Sequence, residues 1–444
     1  MSSILLAIPP EILQCILAAC HPSDVAAFSK TCHTAYNAVY NTEGSYLWRE
    51  LLIAFWDDPR LADHETSPTV AIDIPWKQCV QERVHAEWLA ATSAKRGAIP
   101  FPDLLFLVET FGSVVDSCTP IQVGDPESKP SRSLAWLTNI LHNSAVLYQP
   151  AVDGSASLGQ ALARLKVFYS FAETTDPDAD SCTAASAVTR RARNRSRHYV
   201  YNLQHYTPKR QYGPFLDDGV VNWYHVHHVM NVVWANICDL PAQWACKRPP
   251  VGLEAIRAFS APASFTDEDW AGVRGLWRRY ICFMDYRDLF SFNFTNVLRG
   301  PRDLAYFEEN PRFREATRLI ELDLEVVPWE AITFSALKTV PTVYYPRYPP
   351  IFARGISRSA HGLESVVEGV VSMAKDGTVR YHFVSSQDGQ TLWCSRGVQI
   401  GKPGCAAGVV GTWTTTSHEQ DDPVGPYWLW KVADGDASVL FDHM

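Results

Sequence analysis

The sequence has no uninterrupted apolar run of the roughly 18 residues that a membrane-spanning helix requires, and no such helix is expected. It has no excess of basic charge. Its 39 Lys and Arg face 48 Asp and Glu, a net charge of −9, which argues against nucleic-acid binding by bulk charge and against a basic membrane-surface protein. It has no CxxC pair among its 11 cysteines, and the count is odd. A secreted disulfide framework is denser and even, so reduced thiols in the cytosol or nucleus are expected. There is no basic n-region ahead of residues 4–20, and Pro9, Pro10 and Glu11 break that apolar stretch, so it does not read as a signal peptide. Neither a GxSxG elbow nor a repeat of fixed period is present. What is there is an ordinary globular balance, 47% hydrophobic and 20% charged, unusually rich in tryptophan with 15 residues.

The first 56 residues read as short helices. Pro10 suits a first helical turn, where its missing N–H costs nothing, and Glu11 suits the positive end of the helix dipole. Ile12, Leu13, Ile16 and Leu17 then form one apolar stripe. Pro22 pushes His21 out of the α region, and Ser23 is the expected N-cap of the next helix, which carries Val25, Phe28 and Cys32. Ser45 opens a third, with Leu47, Trp48, Leu51, Leu52 and Phe55 on one side. Residues 57–75 are Pro- and Asp-rich and read as a linker or surface loop. Residues 76–170 and 222–238 carry helical spacing, with polar gaps at 120–133 and 173–187.

From about residue 264 the pattern changes. IELDLEVV (320–327) alternates with period two, and Asp-Gly pairs at 376–377 and 388–389 sit between strand-like runs. An antiparallel meander closing into a barrel or packing as a sandwich is expected. The fold class is therefore α+β: three N-terminal helices over 1–56, a mainly helical linker region over 57–260, and an antiparallel β-domain over 261–444.

Local chemistry is sparse. His225, His227 and His228 lack the Asp and further His of an HxHxDH metal motif, and their spacing is wrong for two ligands on one helix face, so no metal site is expected. GVQIGKPG (397–404) has three residues between its glycines where a P-loop has four, and Pro403 follows Lys402, so the glycines read as bends of a curved sheet. Glu321, Asp323 and Glu325 read as the solvated face of an edge strand, DEDW (267–270) as an acidic first helical turn, and RRARNRSR (190–197) as a solvated basic face. Trp393, Trp413, Trp428 and Trp430 would plug a narrow barrel or, with Arg380 or Arg396, line a pocket in a wider one. No catalytic residues and no cofactor are expected.

The residues Ile8-Pro9-Pro10-Glu11-Ile12-Leu13, Ile16, Pro22-Ser23-Asp24-Val25, Phe28, Ser29, Cys32 and Leu47-Trp48 resemble an F-box, with Ile8 and Val25 in leucine positions and His33 in place of an arginine. An F-box is a helical module of about fifty residues that docks the Skp adaptor of cullin–RING ubiquitin ligases. Longer stretches, among them RRARNRSRHYVYNLQHYTPKRQYGPFLDDGVVNWYHVHHV, resemble the C-terminal regions of basidiomycete F-box proteins, and PPIFARGISRSAHGLESVVEGVV resembles the start of the substrate-binding β-barrel of a mammalian F-box protein. The resemblance implies a non-catalytic receptor subunit in the cytoplasm or nucleus. It would bind the adaptor, and through it cullin, by Ile8, Pro9, Glu11, Ile12, Leu13, Ile16, Val25, Phe28, Cys32 and Trp48. Its β-domain would hold a target protein at Arg380, Trp393, Arg396 and Trp413. Against this stands a calycin-like barrel binding a small apolar ligand, for which GVRGLW and GVVGTW echo a Gly-x-Trp barrel opening.

Overall fold

The computed structural model describes residues 8–41, 44–62, 74–122, 129–149, 157–170, 184–240, 247–295, 300–309, 313–338, 345–359, 362–387, 389–436 and 438–440. The chain divides into two compact units, one comprising 1–120 and 126–152, the other 121–125 and 153–444. The mainly helical stretch 57–260 is thus shared between them. Parts of the expected loops at 57–75, 120–133 and 173–187 lie outside the described residues.

The first unit is helical: α1 Pro10–Ala18, α2 Pro22–Ser29, α3 His33–Tyr40, α4 Tyr46–Phe55, α5 Trp76–Arg96, α6 Phe101–Asp116 and α7 Arg132–His142. Pro10 opens α1 as expected, with Glu11 in its first turn. Four helices stand before residue 56 where three are expected. Ser29 Oγ donates to the Ala26 carbonyl and Thr31 Oγ1 to the Phe28 carbonyl, each at 2.7 Å, and these local bonds compete with continued helix. Cys32 Sγ then accepts from Ala35 N at 3.5 Å and caps α3. The cap of α2 is also one step removed from the expected Ser23: it is His21, whose Nδ1 accepts from Ser23 N at 3.3 Å. Ser45 precedes α4 but makes no side-chain cap bond.

Leu13, Leu17, Val25, Leu47, Leu51 and Trp56 form the core of this helical cluster. Just past α4, the buried Asp57 carboxylate accepts from Arg132 N at 2.8 Å, Ser131 Oγ at 2.5 Å and Thr119 N at 3.1 Å. That carboxylate ties the end of α4 to the start of α7, where it also suits the helix dipole.

The second unit carries α8 Ser157–Tyr169, α9 Ala184–Val200 and α10 Trp223–Cys238, then eight strands: β1 Gly275–Phe283, β2 Ala316–Val326, β3 Ile351–Ser359, β4 Glu364–Met373, β5 Val379–Gln387, β6 Gln390–Gln399, β7 Val409–Thr415 and β8 Gly425–Lys431. The strands form a closed antiparallel barrel in sequence order, β8 returning to pair with β1 from Trp277↔Lys431 to Ile281↔Tyr427. Of barrel and sandwich, the structure is the barrel. Gly389 (φ 76°) falls in a hairpin between the paired Gln387 and Gln390, its Asp388 lying outside the described residues, and Asp376-Gly377 (φ 74° at Gly377) falls in a longer turn closed by Ala374 N to Thr378 O at 2.9 Å. Inside the wall, Gly369 is required because a Cβ there would lie 2.1 Å from the Phe383 ring.

Three expectations are corrected. A closed barrel has no edge, so Glu321 is not on an edge strand. It is buried, taking Arg278 Nε at 3.3 Å, Ser438 Oγ at 2.6 Å and Val439 N at 3.1 Å, because the C-terminal segment lies over it. Asp323 and Glu325 of the same face are exposed. DEDW forms a turn and no helix: Asp269 accepts from Val273 N at 2.7 Å and Arg274 N at 2.9 Å, folding the chain back into β1. RRARNRSR lies on α9 and is only partly solvated. Arg197 makes a two-pronged pair with the buried Glu315 at 2.7 and 2.5 Å, and Arg193 reaches Asp239 at 2.7 Å. Among the described residues no helix is long and apolar enough to cross a membrane.

Candidate functional site

Among the described residues, two of the places that depart from the usual distribution of apolar and charged groups bear on function. The first is on α1. Its 3.6-residue turn sends Leu13 and Leu17, each 4% exposed, into the helical core and leaves Ile12, 52% exposed, and Ile16, 42% exposed, on the surface. Cys15 Sγ lies 3.5 Å from Tyr46 Oη, which brings the exposed Tyr46 ring alongside. Pro9, Glu11 and Cys32 are also exposed, and Ile8 and Phe28 are half-buried against the core. Val25 and Trp48, like Leu13, are buried within their own unit. Of the ten residues assigned to adaptor binding, these three are therefore internal supports, and the accessible apolar pair is Ile12 and Ile16.

The second place is the barrel interior. Alternation along each strand sends every second side chain inward. At one end the lumen is filled by Trp277, Leu324, Val371, Met373 and Tyr381, with Trp270 and Tyr348 beneath them. The other end is the one reached by the C-terminal end of β1 and the N-terminal end of β2. There the inward residues Ile281, Phe283, Ile320, Ser357, Ser359 and Ser385 are only half-buried. The barrel is tightly packed at one end and partly exposed at the other, where Ile281, Ile320 and Trp413 still pack against its core.

The four residues assigned to target binding separate on the two faces of its wall. Trp393 and Trp413 point inward near the mouth, edge to face with centroids 5.2 Å apart, and Trp413 Nε1 donates across Gly425 to the Cys282 carbonyl at 3.2 Å. Arg380 and Arg396 sit one residue out of phase with the inward positions and point outward. Arg380 clamps the segment before α10, donating to Gly219 O at 2.6 Å and Asp376 at 2.8 Å over the Phe215 ring. With Arg396 it lines a cavity of only about 50 Å³. Trp428 and Trp430 also point outward, Trp428 against Trp234 of α10 and Trp430 stacked on Tyr280. Of the four tryptophans read as a barrel plug or a pocket lining, two face inward, and Arg380 and Arg396 do not join them.

One charged group that the lumen does hold is Arg279, absent from the sequence-based assignment. It lies between Trp277 and Ile281 on the inward face of β1, and its guanidinium sits 4.1 Å from the Tyr427 ring centroid. Its Nε is buried without a hydrogen-bond partner, and burial pushes the guanidinium pKa down. The period-two run Trp277, Arg279, Ile281, Phe283 was the signal that could have revealed it.

Two side-chain clusters resemble chemistry but are set neutral by their surroundings. His225, His227 and His228 are buried on α10, and burial holds His225 and His228 well below the ordinary imidazole range. Ser196 Oγ and His228 Nδ1 are 2.9 Å apart but sealed inside. Cys394 Sγ and His382 Nε2 are 3.3 Å apart on the outer wall, where burial raises the thiol and lowers the imidazole, so the pair is thiol and neutral ring rather than thiolate and imidazolium. No group of three His, Cys, Asp or Glu among the described residues is arranged to hold a metal. No family model, curated protein or solved structure matches the chain.

Proposed function

We propose that the chain is the substrate-recognition subunit of an SCF-type cullin–RING ubiquitin ligase, an F-box protein. Its N-terminal helices would dock the Skp adaptor and its β-barrel would hold a target protein. The observation that carries this reading is the exposed pair Ile12 and Ile16 on a helix whose other apolar face is already buried. Apolar side chains grouped outside a completed core favour a partner. The receptor would make and break no bonds. It would raise the local concentration of target lysines near the ubiquitin-charged enzyme.

The test is co-purification of the adaptor with the full chain and with Ile12→Asp/Ile16→Asp. Retention by wild type and loss in the variant, at unchanged thermal stability, supports the reading. Equal capture by both overturns it.

The partly exposed end of the barrel favours a second reading, a calycin-like barrel that takes a small molecule. The half-buried inward residues at the mouth support it, since they leave apolar and hydroxyl side chains of the lumen within reach of a small molecule.

A further inference from the structure

The inward face of the barrel carries an uncompensated positive charge. Among the described strand residues, the inward positions of β1 to β8 hold Arg279, Arg318 and Lys431 and no Asp or Glu. Lys431 is committed at the closed end, where its Nζ donates to the Arg274 carbonyl over the Trp277 ring. Arg318 stands exposed at the rim, its guanidinium 4.9 Å from the Phe283 ring centroid. Arg279 lies deeper and is half-buried, its guanidinium over the face of Tyr427. Partial removal of a guanidinium from water without a carboxylate beside it costs free energy. Here the two neighbouring strands offer Ile320 and Leu429 opposite it.

Three hydroxyls of the same surface share this condition. The oxygens of Tyr381, Tyr427 and Ser359 are buried without hydrogen-bond partners, all on inward positions. The inward wall of the described strands thus supplies hydroxyl groups but no carboxylate to the Arg279 guanidinium. Above them the Trp393 and Trp413 rings narrow the mouth. Asp422 of the β7–β8 loop is engaged at the rim by Glu419 N at 2.7 Å and Ser417 Oγ at 3.1 Å, so it does not neutralise Arg279.

We propose that the lumen binds a small organic acid, its carboxylate seated on the Arg279 guanidinium and its apolar body against Trp393 and Trp413. This rests on the second reading above and names the ligand class: an anion with an apolar body, in place of a purely apolar molecule. A carboxylate accepts two parallel N–H bonds from a guanidinium and could take a hydroxyl besides. A neutral isostere gains the same ring contacts but leaves the cation uncompensated. A polyanion meets only one deep guanidinium and apolar walls.

The test is calorimetric titration of the full chain with 1-naphthaleneacetate and with its neutral amide. The acid is expected to bind roughly 10- to 100-fold more tightly than the amide, the range of a charge-assisted pair. Arg279→Met, checked for folding by circular dichroism and thermal unfolding, is expected to erase most of that ratio, and Arg279→Lys to keep part of it. The acid–amide comparison on wild type needs no variant and decides the question even where Arg279→Met does not fold. Equal binding of acid and amide overturns the anion site and leaves a small-molecule barrel standing. No binding of either below about 1 mM overturns both. An acid preference that persists in a folded Arg279→Met protein overturns the assignment to Arg279.

Discussion

The two units invert the normal placement of side chains in opposite ways. The helical unit puts apolar groups outside: Ile12 and Ile16 stand in solvent on a helix whose Leu13 and Leu17 complete the core. The barrel puts a cation inside: Arg279 faces a lumen to which the described strand residues contribute no carboxylate. Each inversion costs free energy in the isolated chain, and each is relieved by a partner of the opposite character. Elsewhere in the second unit the buried Arg197 is matched by Glu315 at 2.5 Å, while Arg396 on the outer wall shares with Arg279 an unpartnered Nε without facing the lumen. A charge that is buried and paired supports the fold, whereas a charge that is unpaired and faces the lumen points to something that binds.

The largest effect expected from breaking this contrast is on the helical side. The Ile12→Asp/Ile16→Asp protein should lose adaptor capture outright while its melting temperature stays close to wild type, because substitutions at exposed positions usually change stability by no more than about 0.5 kcal/mol each. Co-purification and thermal unfolding measured together check both halves. On the barrel side, Glu315→Ala removes the partner of Arg197 and leaves a buried uncompensated charge. It should destabilise the second unit by roughly 3–5 kcal/mol, read from chemical denaturation. If Glu315→Ala were harmless, a bare arginine would be ordinary in this interior and Arg279 would lose its significance.

A third effect distinguishes the units by pH. His205 is pushed down to about 4, first by burial and then by the charge of Arg210, and burial also holds His225 and His228 well below the ordinary imidazole range. An unfolded histidine titrates near 6.5, so between about 6.5 and 4 the unfolded chain binds more protons than the folded one. Stability of the second unit should therefore fall as pH drops through that window, with His205 alone contributing on the order of 3 kcal/mol. Unfolding at pH 7, 6, 5 and 4 checks the slope, and His205→Gln should make it shallower.

How much of this could be read beforehand varied with distance along the chain. The β-domain was legible because its signals are local: alternation in β2 and the Asp-Gly pairs fix two hairpins within a few residues. The opening Pro10-Glu11 of α1 is equally local. What was missed depends on partners far away in sequence. Arg197 reads as part of a basic run until Glu315, 118 residues on, is brought to it. Glu321 reads as solvated until the segment at Ser438 and Val439 covers it. The phase of the tryptophans was lost for a related reason. A bulge at Ser385/Ser386 shifts the register of the hairpin that places Trp393, and only the closed set of pairings shows that Trp393 and Trp413 face in while Trp428 and Trp430 face out. Arg279 was missed although its signal was local, since β1 was not separated from its surroundings as a strand.

The smallest predicted effect concerns the mouth, and its smallness is the point. Trp393 is 42% exposed and meets Trp413 edge to face. Such a ring pair contributes about 0.5–1.5 kcal/mol beyond area burial, and at a half-open position little area is buried to begin with. Trp393→Ala should therefore cost the fold only about 1 kcal/mol, far less than the roughly 3–5 kcal/mol of an aromatic removed from a packed core such as Trp277→Ala. If denaturation instead shows Trp393→Ala costing as much as Trp277→Ala, the mouth is packed like the floor, and the barrel is plugged with no room above Arg279. A small cost means that evolution has placed a large aromatic ring where it contributes little to stability, which is the placement expected of a wall that meets a ligand.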